Sequence, residues 1–447
     1  MYTDAWTEEL RALLAPERVS VEEADLAAHS YDWWAVAAKW RQQGKRPCAP
    51  DAVVRVTSTL DVSRVLRWAG ERRVPVTPWG AGSSVTGAPL PLSGGLCLDL
   101  SMMNRLLMLD EVNLMVKVQA GTMGHRLEAE LNERGYTLNH SPQSLNRSTA
   151  GGWVATRATG QFSSRWGGIE DLLVALTAVL PTGEVVETPL VPRASVGPDL
   201  RQVFLGAEGT LGVVTEVTLK IFPMVPAQVF ETLSFPTLSA GLTAMRKMMR
   251  AGLRPFLLRF YDENESRYAM RDPDFASCAL FLGCEGLEPV ARAEFDACLA
   301  ICQAEGGLPL GPRPAVSWMG RRFDFSLIEN ILEQPGGVAE TIEVAHFWDR
   351  IEPTHHALHA ALAPLAAEVL GHFSHAYPQG TSLYVILLGQ AADAAAAESR
   401  LQSIWETAMG CRFAGRRRYF APSRDWPRAP ALRPPRAGLR LPCARAN

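Results

Sequence analysis

The residues in this chain best suited to chemistry are small and clustered. The segment TPWGAGSSVTGAPLP, Thr77 to Pro91, places Gly80, Gly82, Ser83 and Ser84 after a β-rich run. Glycines let a backbone approach a ligand closely, and successive N–H groups can cradle an anion. The spacing is not a G-x-G-x-x-G fingerprint, because Val85 stands where the third glycine belongs. It is not a P-loop either, since no Gly-Lys-Ser/Thr follows. Alone, the segment reads equally well as a glycine-rich turn. Three further stretches shift that balance: HSPQSLNRSTAGGWVATRATG from His140 to Gly160, RWGGIEDLL from Arg165 to Leu173, and GAEGTLGVVTEVTLKI from Gly206 to Ile221. Together they offer the N–H and hydroxyl donors that a phosphate-rich ligand requires.

Two other patterns carry chemistry by type. In HHALH, His355 and His359 stand at i, i+4, a spacing that suits a metal pair on a helix. The HExxH glutamate and any obvious third ligand are missing, so a plain helix with no metal is expected. The eight cysteines show no metal-type CxxC spacing. Cys298 and Cys302, in FDACLAICQA, have helical spacing and are expected to be buried thiols on one face.

Positioning these residues calls for more than one core. A chain of 447 residues suits two domains. Apolar residues make up 47%, and a net charge of −3 gives no reason to expect a nucleic-acid partner. The longest apolar runs are interrupted well before membrane-spanning length. The N-terminal MYTDAWTEELRALLAPERVS is amphipathic without a signal-peptide pattern, so a soluble cytoplasmic protein is expected. Its partners would be small molecules, and a homodimer stays an open alternative. Residues 1–45 read as a helical segment anchored by Trp33, Trp34 and Trp40. Residues 46–225 read as an α+β domain of short strands and glycine turns, with few helices, notably MGHRLEAELNERG. PMVPAQ reads as a linker, and residues 226–410 alternate strands and long helices in a second α+β domain.

The order and spacing of the glycine-rich stretches resemble the FAD-linked oxidases of the vanillyl-alcohol oxidase type, with their PCMH-type FAD domain. The resemblance is strongest over residues 46–225. It implies that Trp79, Gly80, Ala81, Gly82, Ser83, Ser84 and Val85 wrap the FAD pyrophosphate. It implies that Gln143, Ser144, Leu145, Asn146, Arg147, Ser148 and Thr149, with Thr156, Arg157, Ala158 and Thr159, contact the pyrophosphate and the flavin side. Glu208, Gly209, Thr210, Leu211, Gly212, Val213 and Val214 would line the adenosine end and flavin. Some members attach FAD through a His in the first glycine loop; none stands there here, which implies non-covalent FAD. The flavin would carry the reaction while the protein holds and tunes it.

Within that superfamily the chain is most similar to the alkyldihydroxyacetonephosphate synthases. STAGGWVATRATGQFSSRWGGIEDLLV and PRASVGPDLRQVFLGAEGTLGVVTEVTLKI are close to their pattern. Flavin-dependent 2-hydroxyacid dehydrogenases share these motifs but usually carry a GDGNLH-like metal motif in a late strand, where this chain has SHAYPQGTSLYV. The synthase likeness implies that Tyr384 donates or accepts a proton, provided its pKa is lowered locally. It implies that Arg350, in HFWDRIEP, binds the substrate phosphate and that Arg259 is a second site arginine. The implied reaction exchanges the acyl group of acyl-dihydroxyacetone phosphate for a fatty alcohol through a flavin N5 adduct, with no net redox. Without the resemblance, a lone Tyr in an apolar strand is more often a satisfied core residue, and Arg350 reads as an ordinary helix-surface cation.

The stretch 411–447 is unlike the rest: ten Arg, six Pro, one Asp, no Lys and no Glu. A solvated tail or a basic arm would fit that composition. The family resemblance suggests another origin, because synthases carry a late motif close to GGxxSHHHGxG, and no His follows His375 here. Shifted by one nucleotide, codons for Tyr419 to Pro427 permit Ile-Ser-His-His-His-Gly-Ile-Gly. The hydroxyacid enzymes' Ser-Gly-Glu-His-Gly is not permitted. The expectation is a frameshift between about Met409 and Arg416, which leaves FAD binding intact and catalysis impaired. A flavin-binding pseudoenzyme and a 2-hydroxyacid oxidase or dehydrogenase are the alternatives.

Overall fold

The computed structural model describes residues 2–411, so the Arg/Pro stretch from Arg412 onward, with its expected frameshift, lies outside the described residues. Three main sheets organise the chain. The first has the order Val19–Ser20, Ala52–Arg55, Leu96–Asp99, Val76–Trp79; its last three strands are parallel. Ala52, Val53, Val54 and Leu96, Cys97, Leu98 are all buried, as strands covered on both faces must be. The helix Thr59–Arg72 crosses between two of these strands. Ser58 caps it by accepting from Asp61 N at 3.1 Å, and Arg73 stops it in the left-handed region at φ 55°.

The second sheet is antiparallel and five-stranded, in the order Leu106–Asp110, Met115–Gln119, Val213–Lys220, Leu173–Val179, Val185–Glu187. The third is antiparallel and seven-stranded, and belongs to the second domain. Its order is Leu308–Pro309, Ala227–Phe235, Cys278–Gly286, Leu257–Tyr261, Glu368–Ser374, Gly380–Gln390, Gly337–Phe347. Helices Leu238–Arg250, Glu288–Ala304, Ile351–Leu362 and Ala394–Gly410 bury one apolar stripe each against it. Cys298 and Cys302 are fully buried on one of these helices, as their spacing predicts.

Residues 1–45 contain three α-helices, Tyr2–Leu13, Glu23–Ala28 and Ala35–Gln42, and one short strand. Val19–Ser20 joins the first sheet, while the helix Ala35–Gln42 packs on the second domain. There the buried Lys39 Nζ donates to Leu332 O and Gln334 O, and Trp40 Nε1 donates to Glu398. The segment thus ties the two domains together. In the first domain the paired glycines of STAGGWVAT lie in a helix, Ala150–Thr156. Gly151 allows that helix to press on the second sheet, since a Cβ there would lie 2.4 Å from Ala120 Cβ.

Candidate active site

The glycine-rich stretches meet in space. The loop Gly80–Val85 leaves the end of a parallel strand, the usual ligand edge of such sheets. A Cβ on Gly80 would lie 2.7 Å from Thr149 Oγ1, so the loop and the start of helix Ala150–Thr156 are in close contact. Thr149 caps that helix by accepting from Gly152 N at 3.2 Å. Gly209, at φ +80°, brings the third stretch onto the first: its Cβ would lie 2.8 Å from Pro78 Cγ. Glu208 N and Gly206 N donate to Ala155 O and Val154 O at 2.9 and 3.0 Å. Among the described residues, no backbone N–H from Gly80 to Val85 donates to a protein acceptor. That leaves a row of amide donors at the junction, as an anion cradle requires.

Not every residue expected at the cofactor reaches outward. Leu145, Val213 and Val214 are core residues. Arg147 Nη1 donates to Glu329 at 2.6 Å and its guanidinium sits 4.0 Å from the Trp33 ring centroid, so it bridges the two domains. Arg157 ends its helix in the left-handed region and lies 3.6 Å from Glu170.

The second domain contributes a row of polar side chains on one sheet face. Tyr261, His372, Tyr384 and Glu343 are register partners across four adjacent strands. Residues directly opposite in a ladder share a face, and Arg259, two residues before Tyr261, shares it too. The contacts follow. Arg259 Nε donates to Tyr261 Oη at 2.7 Å, and its Nη2 donates to His372 Nε2 at 2.8 Å. His372 must then carry its proton on Nδ1, which faces the Glu265 carboxylate at 2.8 and 2.9 Å. The His372 ring stacks on Tyr384 at 5.0 Å with 6° between planes. Tyr384 Oη lies 3.1 Å from His375 Nε2, and His375 Nδ1 lies 2.7 Å from Ser163 Oγ in the first domain.

Electrostatics distinguishes these groups. Burial, reinforced by the guanidinium of Arg259, holds His372 neutral, and His375 is pushed down to about 3 by burial and then by Arg259. Burial raises Glu265 to about 8 despite Arg259. Tyr384 overturns an expectation: its pKa is not lowered but raised well above the usual value, by burial and then by the adjacent Glu343 carboxylate. Glu343 is itself raised by burial, although solvent still reaches it. The residue is exposed at the surface, yet nearby protein desolvates its carboxylate, which is hydrogen-bonded to the Tyr384 hydroxyl.

A cavity of 1090 Å³ opens between the domains. Arg259, Glu265 and His372 line it, with Gln143 and Gln161 from the first domain. Arg267, Arg271, Arg321 and Arg322 add cations. Arg350 is not on its wall. It precedes the helix Ile351–Leu362, half exposed and 3.3 Å from Asp349. Sequence reasoning named Tyr384 and Arg259 but missed His372, His375, Glu265, Glu343 and Ser163. One signal was available: Arg259, His372 and Tyr384 each interrupt an apolar strand, in FLLRFY, EVLGHFS and SLYVILL. The expectation of a plain helix for His355 and His359 was incomplete, since both rings converge on Asp262.

The residues fit a flavin nucleotide. Beside the cradle, both ring nitrogens of the buried His140, Ser141 Oγ and Gln161 Oε1 have no protein hydrogen-bond partner. Orphaned buried polar atoms in one neighbourhood mark a place where another group belongs.

Residues 50–189 match the FAD binding domain family and residues 225–414 match the C-terminal domain of FAD linked oxidases. The chain belongs to the FAD-linked oxidases. The uncharacterized FAD-linked oxidoreductase YgcU of Escherichia coli (strain K12) is 31% identical over 86% of this chain and 81% of its own length. Alkyldihydroxyacetonephosphate synthase of Caenorhabditis elegans is 38% identical over 50% of this chain, but the match spans only 38% of that protein. A solved alkyldihydroxyacetonephosphate synthase superposes at a TM-score of 0.79 with 26% identity, covering 91% of this chain and 79% of that one. p-Cresol methylhydroxylase, at a TM-score of 0.76 and 15% identity, shares the fold. The FAD-linked oxidase family member is thus a flavoenzyme by descent. Among its described residues no helix is long and apolar enough to cross a membrane.

Proposed function

We propose that this flavoenzyme is of the alkyldihydroxyacetonephosphate-synthase type, exchanging the acyl group of acyl-dihydroxyacetone phosphate for a fatty alcohol, with FAD held non-covalently. The observation that supports it most is the cross-strand row of Arg259, His372, Tyr384 and Glu343 beside an arginine-lined cavity. A phosphate dianion suits that cavity: Arg321 Nε and Arg322 Nε are buried without a hydrogen-bond partner, and guanidinium forks bind phosphate well. On this reading Arg321, Arg322 and Arg259 hold the phosphate, ahead of Arg350.

FAD would rest on the Gly80–Val85 loop, the Thr149 cap and the Glu208–Gly212 turn, and when bound it supplies the electron-accepting ring that the chemistry needs. The protein's part is proton management. Tyr384, kept protonated by its raised pKa, serves as a proton donor; its single hydroxyl proton has two alternative acceptors, the Glu343 carboxylate and Nε2 of the neutral His375. Ser163 continues the path from His375 Nδ1 toward the first domain. Arg259, fixed by Tyr261 and His372, presents the remaining Nη1 to the ligand.

The test uses purified yellow protein, acyl-dihydroxyacetone phosphate and a radiolabelled fatty alcohol. Label should enter the phosphate ester, while anaerobic D-lactate or glycolate should leave the flavin oxidised. Bleaching by either acid would replace this reading with a hydroxyacid oxidase or dehydrogenase, whose named relatives include D-lactate dehydrogenase of Anaerostipes hadrus. Silence in every assay would favour a flavin-binding pseudoenzyme. A one-nucleotide frameshift before Arg416 would explain such silence, and resequencing codons 405–430 decides it.

A further inference from the structure

Next to the cavity, and apart from the flavin cradle, three side chains converge. Asp262 follows the strand Leu257–Tyr261, and its N–H donates to Gly371 O at 2.8 Å. Its Oδ1 accepts from Glu265 N at 2.8 Å and caps the helix Glu263–Met270. That contact fixes the carboxylate and aims Oδ2 at the helix Ile351–Leu362. There His355 Nε2 lies 2.9 Å away and His359 Nε2 lies 3.3 Å away. The two rings, one turn apart, are 3.9 Å between centroids. All three ligand atoms lie within 4.8 Å of one another.

A hydrogen bond explains only half of this. One neutral imidazole can donate Nε2–H to Oδ2, and His355 does so. The Nε2 of His359 is buried with no hydrogen-bond partner, although it faces the same oxygen. The space is also kept clear: a Cβ on Gly371 would lie 2.6 Å from Asp262 Oδ2 and 3.0 Å from His355 Nε2. Two imidazole nitrogens converging on one carboxylate oxygen, itself oriented by a backbone N–H, is the donor arrangement of a divalent-metal site.

We propose that His355 Nε2, His359 Nε2 and Asp262 Oδ2 bind one borderline divalent cation, with Zn²⁺ the best match. Imidazole ligands favour Zn²⁺ over the all-oxygen Mg²⁺ and Ca²⁺. Tetrahedral Zn²⁺ with bonds of about 2.0–2.1 Å sets its ligand atoms about 3.3 Å apart. The observed separations from Asp262 need to open by a few tenths of an ångström at most. His359 also lines the cavity, so a water from that side completes the set. The cation would pin the helix Ile351–Leu362 to the residues flanking Tyr261 and Glu265, which hold Arg259 and His372. It therefore acts as a positioning element for the cavity wall, whichever substrate the cavity takes.

The test is metal content of the full chain, untagged and carrying its flavin. After equilibration with zinc and removal of excess by gel filtration, elemental analysis should give about one Zn per chain. The thermal midpoint should rise by several degrees, and a chelator should reverse both. His359→Gln should lower bound zinc at least fivefold. Asp262→Asn, which keeps the cap through its side-chain oxygen, should do the same with unchanged circular dichroism. Zinc below about a tenth per chain in the parent, or equal zinc in parent and both variants, overturns the proposal and leaves a hydrogen-bonded cluster only.

Discussion

Replacing Gly80 by alanine tests the cradle at its tightest point. The new methyl carbon would lie 2.7 Å from Thr149 Oγ1, closer than real Cβ contacts come. Thr149 cannot move freely, because its Oγ1 caps the helix Ala150–Thr156. Overpacking of this kind costs about 1–3 kcal/mol. Thr149→Ala alone removes the cap at about 1 kcal/mol, but it also removes the clashing oxygen. The double variant should therefore cost about 1 kcal/mol, well short of the sum of the two single changes, and the shortfall is the coupling energy. For domains of this size, 1 kcal/mol moves the thermal midpoint by about 2–4 °C. The assay is a double-mutant cycle read by thermal denaturation and by FAD titration of the apoprotein. Gly80→Ala alone should weaken FAD binding at least tenfold, about 1.4 kcal/mol, since it forces the two loops apart. Equal cost of Gly80→Ala with and without Thr149, or unchanged FAD affinity, would refute the contact argument.

Three further outcomes are expected. Tyr384→Phe keeps the ring stacked on His372 but removes the hydroxyl between His375 and Glu343, so exchange turnover should fall by about 10²–10⁴ with FAD content unchanged; turnover within threefold of the parent would remove Tyr384 from the chemistry. Burial depresses His140 and His375 to about 3, so the unfolded chain binds their protons first as pH falls below about 6.5. The contribution of these two histidines is then full above that value and declines toward pH 3 by about 1.4 kcal/mol per pH unit for each. His140→Gln should flatten the decline by one proton, seen as the slope of the thermal midpoint against pH. Arg147→Ala removes an interdomain ion pair and a stacked guanidinium, so it should lower the thermal midpoint by a few degrees and leave FAD affinity alone; a tenfold loss of affinity would return Arg147 to the cofactor.

The sequence by itself determined the parts that depend on local rules. Gly80, Gly82 and Gly209 sit where a Cβ would strike Thr149, Trp79 or Pro78, so their identity is legible as a demand for close backbone approach. Strands such as AVVR and LCLD, and the helix capped by Ser58, follow from apolar runs and capping residues. Cys298 and Cys302 needed only a helical period to be placed inside. What sequence could not supply was strand register. Tyr261, His372, Tyr384 and Glu343 are separated by up to 123 positions, and only antiparallel pairing sets them side by side. Register also decided the electrostatics: with Glu343 and closely packed protein around it, Tyr384 has a raised pKa where sequence reasoning asked for a lowered one. Asp262 could not be recognised as a partner of His355 and His359, because His355 lies 93 positions further along the chain and a helix cap aims the carboxylate. Local propensity wrote the elements, while the side-chain row, the arginine-lined cavity and the charge state of each group arose only when distant segments excluded water from one another.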